Sequence, residues 1–222
     1  MPFNRDPDLS GLSQQDRFAR DGNLWVVNSD SPGTAIAYAA LTAYSATANG
    51  FCVIYNGNAQ GGASVYLKRI ELFQTATVAT GTTWSLEAFN ETGEVTGTGA
   101  VEERTPIQVN SAKAQTTSVV VQMFDAGAIT IPAAVGTRRQ VAQGWIPVGV
   151  NVAKDVYAID FGSDSLLPGS RGLTAARATD TGRLVGQMPS VIIPPQTTSW
   201  INLWGCGSSA PSFEYNLTYV EK

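Results

Sequence analysis

The sequence has no histidine, and only two of its 222 residues are cysteines. Histidine is the commonest general base and metal ligand, and it changes charge near neutral pH. Its absence excludes Ser-His-Asp and Cys-His catalytic arrangements. The sequence also lacks the clustered cysteines and the acidic loops that bind metals. We therefore expect no catalytic residues, no metal and no cofactor.

The two cysteines lie in strand-like segments, Cys52 in "GFCVIYN" and Cys206 in "INLWGCG". A chain of this length buries roughly 70% of its unfolded surface, so its core does not need a disulfide for stability. We therefore favour two buried free thiols that pack as small apolar side chains. Sequence spacing alone leaves a disulfide between them open.

Charged residues are also scarce, at 14% of the chain with a net charge of -4. The average for globular proteins is about 25%. The basic residues are scattered and form no patch that could displace counterions from nucleic acid. There is no apolar run of about 18 residues and no apolar N-terminal stretch typical of a signal peptide. We expect neither a nucleic-acid partner nor a membrane.

What the sequence does contain is a series of short strand patterns separated by turn signals. The clearest is the closing segment, where Phe213, Tyr215, Leu217 and Tyr219 alternate with polar residues. Strands are also predicted for "LWVVN" (24–28), "FCVIYN" (51–56), "SVYLKRIELF" (64–73), "TWSLEAF" (83–89), "SVVVQMF" (118–124), "AITI" (128–131), "VYAIDF" (156–161), "SVII" (190–193) and "SWINLWGC" (199–206).

About ten such strands predict an all-β fold, a jelly-roll-like β-sandwich spanning residues 24–222. The ambiguous stretch 34–50 is also interpreted as extended. "NGNAQGG", which begins at Asn56, is a hairpin signal. Two long connections, 91–116 and 162–188, are candidate contact surfaces because long loops are usually functional or interfacial.

Residues 1–23 are predicted to form a charged N-terminal arm. Ser13 can cap a short helix over "QQDRFA" (14–19), although no long apolar face supports that helix. The arm is either a mobile tail or a segment that becomes ordered against a partner. The sequence does not separate these alternatives.

The sequence contains candidate residues for two further kinds of site. Glu71, Glu87 and Glu214 lie on predicted strands and could supply the carboxylate pair of a glycoside hydrolase, but solvated surface is the favoured interpretation. We therefore expect no enzymatic activity. Trp84, Trp200 and Trp204 could stack on sugar rings, but core packing is favoured for them.

Four segments carry a family resemblance: "FCVIYNGN", "VYLKRIELFQTATVATGTTWSLEAFNETG", "DVYAIDFGSD" and "VIIPPQTTSWINLWGCGSSAPSFEYNLTYVEK". In these parts, about residues 50–90 and 155–222, the chain resembles jelly-roll structural proteins of tailed bacteriophages, described as capsid decoration or cement proteins. The resemblance implies homotrimers on the outer surface of a capsid, with the major capsid protein as partner. It also implies a virion location after assembly in the host cytoplasm, and it supplies no catalytic residues.

With that role, contacts to the capsid or to a neighbouring subunit are expected from the arm, through Phe3, Arg5, Arg17, Phe18 and Arg20. The alternative is a lectin-like β-sandwich of a phage that binds host glycans. Trp84, Trp200 and Trp204 would then be the glycan-binding residues.

Overall fold

The computed structural model of this chain describes residues 14–29, 35–37, 43–44, 50–76, 82–89, 101–112, 116–124, 138–146, 156–162, 184–188, 190–204 and 212–222. Within these residues the chain forms one short helix, α1 (Gln14–Asp21), and fourteen strands. The strands are β1 (Leu24–Asn28), β2 (Ile36–Ala37), β3 (Gly50–Asn56), β4 (Val65–Ala76), β5 (Thr82–Phe89), β6 (Val101–Arg104), β7 (Ile107–Gln108), β8 (Val119–Phe124), β9 (Arg138–Ile146), β10 (Val156–Phe161), β11 (Leu184–Met188), β12 (Val191–Ile193), β13 (Thr198–Trp204) and β14 (Ser212–Glu221).

The strands form two sheets. The first has the order β11-β10-β4-β14-β1-β7, with β12 paired to β4 and β2 paired to β14. The second has the order β6-β8-β3-β13-β5-β9. All described pairs are antiparallel except β10 with β11. The predicted all-β architecture is confirmed.

Eight of the strands pair in a nested order along the chain. β1 pairs with β14, β3 with β13, β4 with β10, and β5 with β9. The ribbon formed by these pairs is folded over, so that β14 also pairs with β4 and β13 with β5. Strands far apart in sequence are therefore neighbours in both sheets.

Side chains from both sheets meet in one buried core, which makes the fold a β-sandwich. The first sheet contributes residues such as Trp25, Leu72 and Tyr215, and the second contributes Ile54, Val121 and others. Cys52 also lies in this core as a free thiol, and its burial raises its pKa. The prediction of a buried free thiol is confirmed for Cys52, whereas Cys206 lies outside the described residues.

The closing strand β14 has the predicted alternation. Phe213, Tyr215, Leu217 and Tyr219 are all buried in the core, and the residues between them are half-buried on the other face. β14 lies between β4 and β1, inside the first sheet rather than at its edge. Its backbone is therefore hydrogen-bonded on both sides, which is why this chain end is held in place.

β4 changes its inward face halfway along its length. Leu67 and Ile70 are both buried, although they are three residues apart. In the pairing with β14, Tyr219 is opposite Leu67 and Thr218 is opposite Arg69, so Lys68 is an extra residue, a β-bulge. A bulge of this kind bends the strand and redirects a side chain. Here it leaves both Lys68 and Arg69 half-buried rather than in the core.

The hairpin predicted for "NGNAQGG" is wrong. β3 and β4 lie in different sheets, so this loop is a corner of the sandwich. The reason is the fully buried amide of Asn56. Its Nδ2 donates to the backbone oxygens of Ala63 and Ile193, both at 3.0 Å, and its Oδ1 accepts from the N–H of Asn58 at 3.2 Å. These bonds tie the corner to β12 instead of folding β4 back onto β3.

Gln196 holds the same corner from the other side. Its backbone φ is +61°, an uncommon value for a residue other than glycine. Its Nε2 donates to the carbonyl oxygens of Gly57, at 3.0 Å, and Asn58, at 2.7 Å. The Tyr55 hydroxyl donates to its Oε1 at 3.2 Å. The side chain thus stabilises a backbone conformation that would be unfavourable alone.

Four strands were not predicted. β6, β7 and β11 lie within the segments 91–116 and 162–188, which were expected to be loops, and β9 was not recognised at all. β6 is highly charged and β9 begins with two arginines, so neither has a clear alternating pattern. Pairing with β8 and β5 decides their conformation instead. The predicted strand 128–131 lies outside the described residues, as does most of the stretch 34–50.

We predict that Asn56→Ala destabilises the sandwich by about 2–4 kcal/mol. The change removes the donor to the buried carbonyl oxygen of Ile193 and the acceptor of the Asn58 N–H, whereas the Ala63 carbonyl keeps its bond from Asn58 Nδ2. Each unsatisfied buried group costs about 1–3 kcal/mol. Equilibrium unfolding in urea measures the effect. Asn216→Ala is the matched control, because Asn216 is half-buried on the outer face of β14, and it should change stability by less than about 0.5 kcal/mol. Equal effects of the two changes would contradict the role given to Asn56.

Candidate functional site: the N-terminal helix and its seat

Helix α1 confirms the short helix predicted near residues 14–19, and it has a well-formed C-terminal end. The N–H of Gly22 donates to the carbonyl of Ala19 at 3.1 Å, and the N–H of Asn23 donates to that of Phe18 at 2.9 Å. Gly22 has a φ of +79°, in the left-handed region that glycine adopts without strain. This is a Schellman motif, and it turns the chain directly from α1 into β1.

Hydrogen bonds attach the end of α1 to the sandwich. The side chain of Gln108 donates to the carbonyl of Gly22, and Asn110 Nδ2 donates to the carbonyl of Arg20 at 3.0 Å. The N–H of Glu221 donates to the carbonyl of Asn23 at 3.0 Å. The junction between arm and sandwich is therefore fixed by β7 and by the end of β14.

Phe18 is the aromatic anchor of α1. Its half-buried ring has two ammonium groups near its centroid, Lys68 Nζ at 5.8 Å and Lys222 Nζ at 5.9 Å. A cation–π contact at a solvent-accessible site contributes about 0.5–1 kcal/mol. The two lysines together therefore contribute about 1–2 kcal/mol to the docking of the helix.

The two lysines are placed by different features of the sheet. Lys68 is the extra residue of the β4 bulge. Lys222 is fixed by a reciprocal pair of backbone hydrogen bonds with Ser64, at 2.9 and 3.0 Å. The neighbouring carboxylate of Glu221 accepts from Asn58 Nδ2 at 2.8 Å and from Thr117 Oγ1 at 2.7 Å. This end of β14 is thus part of a polar network that reaches both sheets.

A row of apolar side chains crosses the first sheet beside these lysines. Leu24 is opposite Val220, Val220 is opposite Tyr66, and Tyr66 is opposite Ile192. Each of the four has a chain neighbour in the core, so the row lies on the outer face of the sheet. Leu24 and Val220 are buried, whereas Ile192 is 50% exposed. We call Lys68 and Lys222, whose ammonium groups approach the ring of Phe18, the helix seat.

The predicted arm residues are only partly within the described chain. Arg17 and Arg20 are exposed on α1, and Arg20 pairs with Asp21 at 3.0 Å. Phe18 contacts this chain's own lysines. Phe3 and Arg5 lie outside the described residues. Of the predicted contact residues, Arg17, Phe18 and Arg20 therefore lie together on α1.

The predicted strand carboxylates lie mainly on the outer face of the first sheet. Glu71 is 3.5 Å from Arg69 Nη1, and Arg69 also forms a bidentate pair with Asp160, at 2.5 and 3.0 Å. The hydrogen bond to Asp160 raises the pKa of Arg69. Glu214 is half-buried on the same face, and the side chain of Glu87 lies outside the described part. Glu71 is therefore part of an ion-pair cluster.

The three tryptophans have different environments. Trp200 is fully buried, on the face of β13 opposite to that of the core residue Ile201. Trp204 is half-buried and makes an edge-to-face contact with Tyr44, with ring centroids 5.2 Å apart. Tyr44 is 46% exposed. The side chain of Trp84 lies outside the described part of β5.

Sequence reasoning missed the two lysines of the seat. A signal was present in "SVYLKRIELF", where Val65 and Leu67 have the opposite phase to Ile70 and Leu72. A phase change within one strand indicates a bulge, and here it indicates Lys68–Arg69. Lys222 had no comparable signal, because its position depends on the pairing of β14 with residues far away in sequence.

Among the described residues, no three His, Cys, Asp or Glu side chains form a group that could hold a metal ion. The same part of the chain contains no helix that is long and apolar enough to cross a membrane. No protein-family model, curated protein or solved structure matches this chain. The observed geometry defines an all-β sandwich with an N-terminal helix docked on its outer face.

We predict that Phe18→Ala releases α1 while the sandwich stays folded. Hydrogen exchange at amides 18–21, the amides that are hydrogen-bonded within the helix, should become about 5- to 30-fold faster, the factor that corresponds to about 1–2 kcal/mol of lost contacts. Phe18→Tyr keeps the aromatic face and is the matched control, with exchange close to that of the unchanged chain. If Phe18→Ala left exchange in α1 unaltered, the ring would not be its anchor.

Proposed function

We propose that this chain is a non-enzymatic structural protein of a virion, a decoration or cement protein on the outside of a tailed-bacteriophage capsid. The nested strand pairing carries this proposal. A jelly roll is built from nested strand pairs of this kind. Here β1 pairs with β14, β3 with β13, β4 with β10 and β5 with β9, and this order supports the jelly-roll assignment within the sandwich. That fold is the one implied by the resemblance to phage decoration proteins.

In this role, the sandwich is a rigid block and the arm makes contacts. The major capsid protein is the partner, and cyclic homotrimers are the expected form, because repeated surface blocks usually assemble with closed symmetry. Arg17 and Arg20 are exposed on α1, where acidic groups of the capsid can reach them. Phe3 and Arg5 complete the proposed contact set. The protein then acts by linking capsid subunits, and it requires no cofactor.

Deleting residues 2–22 tests this proposal. We predict that the shortened chain stays folded, because β1 begins at Leu24 and the Asn23 carbonyl that accepts from Glu221 is retained. Its occupancy on capsids stripped of this protein should fall below that of the full chain, measured by electron microscopy of particles with and without added protein. The double variant Arg17→Ala with Arg20→Ala, in the full chain, removes the two charges but keeps the rest of the arm, and so tests whether the charges themselves are needed for attachment. Unchanged occupancy of the deletion variant at moderate salt would show that the arm does not mediate attachment.

A second candidate function is glycan binding by a lectin-like sandwich, and one observation favours it. Tyr44 is substantially exposed and packs edge-to-face on Trp204. Aromatic pairs of this kind present apolar faces with a polar tip, which suits sugar rings. Trp200 is less suitable for this role because it is fully buried.

If this second function is correct, Tyr44→Ala and Trp204→Ala should each weaken binding to a glycan array by at least about tenfold, because each change removes stacking area. Phe73→Ala, at a half-buried aromatic on the other sheet, is the matched control. The bound glycan should be recovered uncleaved. An array without any bound glycan, or equal losses for all three variants, would reject a site at Tyr44 and Trp204.

A further inference from the structure

Asn56 and Gly57, at the corner between β3 and β4, form an Asn-Gly pair. In this dipeptide the asparagine side chain is open to attack by the next backbone nitrogen, because glycine has no side chain that would shield it. The structure requires both residues. Asn56 makes the three side-chain hydrogen bonds of the corner, and a Cβ at position 57 would collide with the backbone oxygen of Ser118. A reactive dipeptide is therefore a condition of this fold.

The reaction typical of such a pair is deamidation. The Gly57 nitrogen forms a bond to Asn56 Cγ, the bond from Cγ to Nδ2 breaks, and ammonia leaves with the proton of the Gly57 N–H. Water then opens the resulting succinimide ring and leaves aspartate or isoaspartate at position 56. The net change consumes water and releases ammonia, and it involves no oxidation or reduction.

The folded corner holds both reacting groups away from each other. The Gly57 N–H donates to the Ser118 carbonyl at 3.1 Å. Asn56 Nδ2 is held by two backbone oxygens, one of them that of Ile193 at 3.0 Å. The Asn56 N–H donates to the Thr197 carbonyl at 3.0 Å, which fixes the backbone between the two groups. Because these partners lie in separate parts of the chain, the pair becomes reactive only when the sandwich opens.

The product of the reaction cannot rebuild the corner. An ionised aspartate has no N–H to donate, so at position 56 it would turn carboxylate oxygens towards the carbonyl oxygens of Ala63 and Ile193. Position 56 is fully buried, and an unpaired charge is strongly unfavourable there. Isoaspartate also adds a carbon atom to the backbone at the last residue of β3, which displaces the residues that follow.

We propose that Asn56 is a modification site of the unfolded chain alone, and that its deamidation removes the chain irreversibly from the population that can fold. A chain that folds is protected by the corner, whereas a chain that stays unfolded is converted. The Asn-Gly pair thus limits how long this protein can remain unfolded and still recover its structure. This inference concerns the folding of the chain and does not depend on a role in a virion.

The first test compares the rate of deamidation in folded and unfolded chains. The full chain is incubated at mildly alkaline pH, in buffer and in guanidinium chloride at concentrations through its unfolding transition. Mass spectrometry follows the replacement of –NH2 by –OH. A protease that cuts after Phe51 and Tyr55 separates Asn56 from the other Asn-Gly pair, at 49–50. In the denaturant that second pair has the same reactive dipeptide in an unfolded chain, and it serves as the internal standard.

We expect Asn56 to react at least about 100-fold more slowly in buffer than in the denaturant, because folding free energies of about 5–15 kcal/mol keep the open state rare. Its rate should rise in proportion to the unfolded fraction. A rate at Asn56 that is the same in buffer and in denaturant would overturn the proposal.

The second test uses Asn56→Asp, which is the aspartate product of the reaction. Its equilibrium constant for folding should be at least about 100-fold below that of the unchanged chain, because a buried carboxylate replaces a hydrogen-bonded amide. Asn110→Asp is the matched control, since it makes the same chemical change at an exposed site and keeps the oxygen that accepts from the Ala112 N–H.

Circular dichroism and denaturant unfolding measure both variants. If Asn56→Asp does not fold while Asn110→Asp does, the proposal is supported in its strongest form. If Asn56→Asp is as stable as Asn110→Asp, the proposal is overturned, because deamidation would then leave the chain able to fold.

Discussion

The position of β14 between β4 and β1 is the constraint on which the rest of this structure depends. Along its whole length β14 pairs with β4, and from Asn216 to Val220 it pairs with β1 as well. Its inward side chains are among the largest fully buried groups of the core. In the first sheet, β1 and β7 are connected to β4, β10 and β11 only through β14 in the described strand order. The fold is therefore dominated by contacts between distant parts of the sequence, which implies slow folding for its size.

The same strand connects the core to the site. Its inner face ends at Tyr219, and two residues later Glu221 accepts hydrogen bonds from Asn58 and Thr117. Lys222 then pairs with Ser64 and places its ammonium group near the ring of Phe18. The buried core, the polar network at the corner and the helix seat are therefore connected through neighbouring residues at the C-terminal end of β14. A substitution that loosens the corner at Asn56 or Gln196 is expected to loosen the seat also. The corner residues and the end of β14 are all hydrogen-bonded to Asn58, in the loop between β3 and β4.

The sequence predicted those parts of the fold that have a strong local pattern. β10 and β14 were located almost to the residue, because apolar and polar residues alternate along them. β12 was located because Pro194 ends it. β6 and β9 were missed, because charged and polar residues can form strands when the neighbouring strands provide the backbone hydrogen bonds. The corner at Asn56 was mistaken for a hairpin, because the turn residues are the same and only the distant partner, Ile193, distinguishes the two.

The site was predictable on one side only. Arg17, Phe18 and Arg20 were identified from the polar, charged character of the arm, and the short helix from its capping pattern. Their receptor was not identified, because Lys68 and Lys222 are 154 positions apart and meet only when β14 pairs beside the β4 bulge. No pattern confined to one segment reports such a pair. The phase change around Lys68 indicates the bulge but not what the redirected side chain contacts.

The relative size of the energies separates the behaviour of the arm from that of the sandwich. The two cation–π contacts contribute about 1–2 kcal/mol. The Asn110 bond to the end of α1 and the Gln108 bond to Gly22 add about 0.5–1.5 kcal/mol each. A domain of this kind is stabilised by about 5–15 kcal/mol in total. The helix can therefore detach by local opening while the sheets stay paired. An element held by a few kcal/mol on a rigid support opens more often than the sheets beneath it, so the helix is less stable than the sandwich to which it is attached.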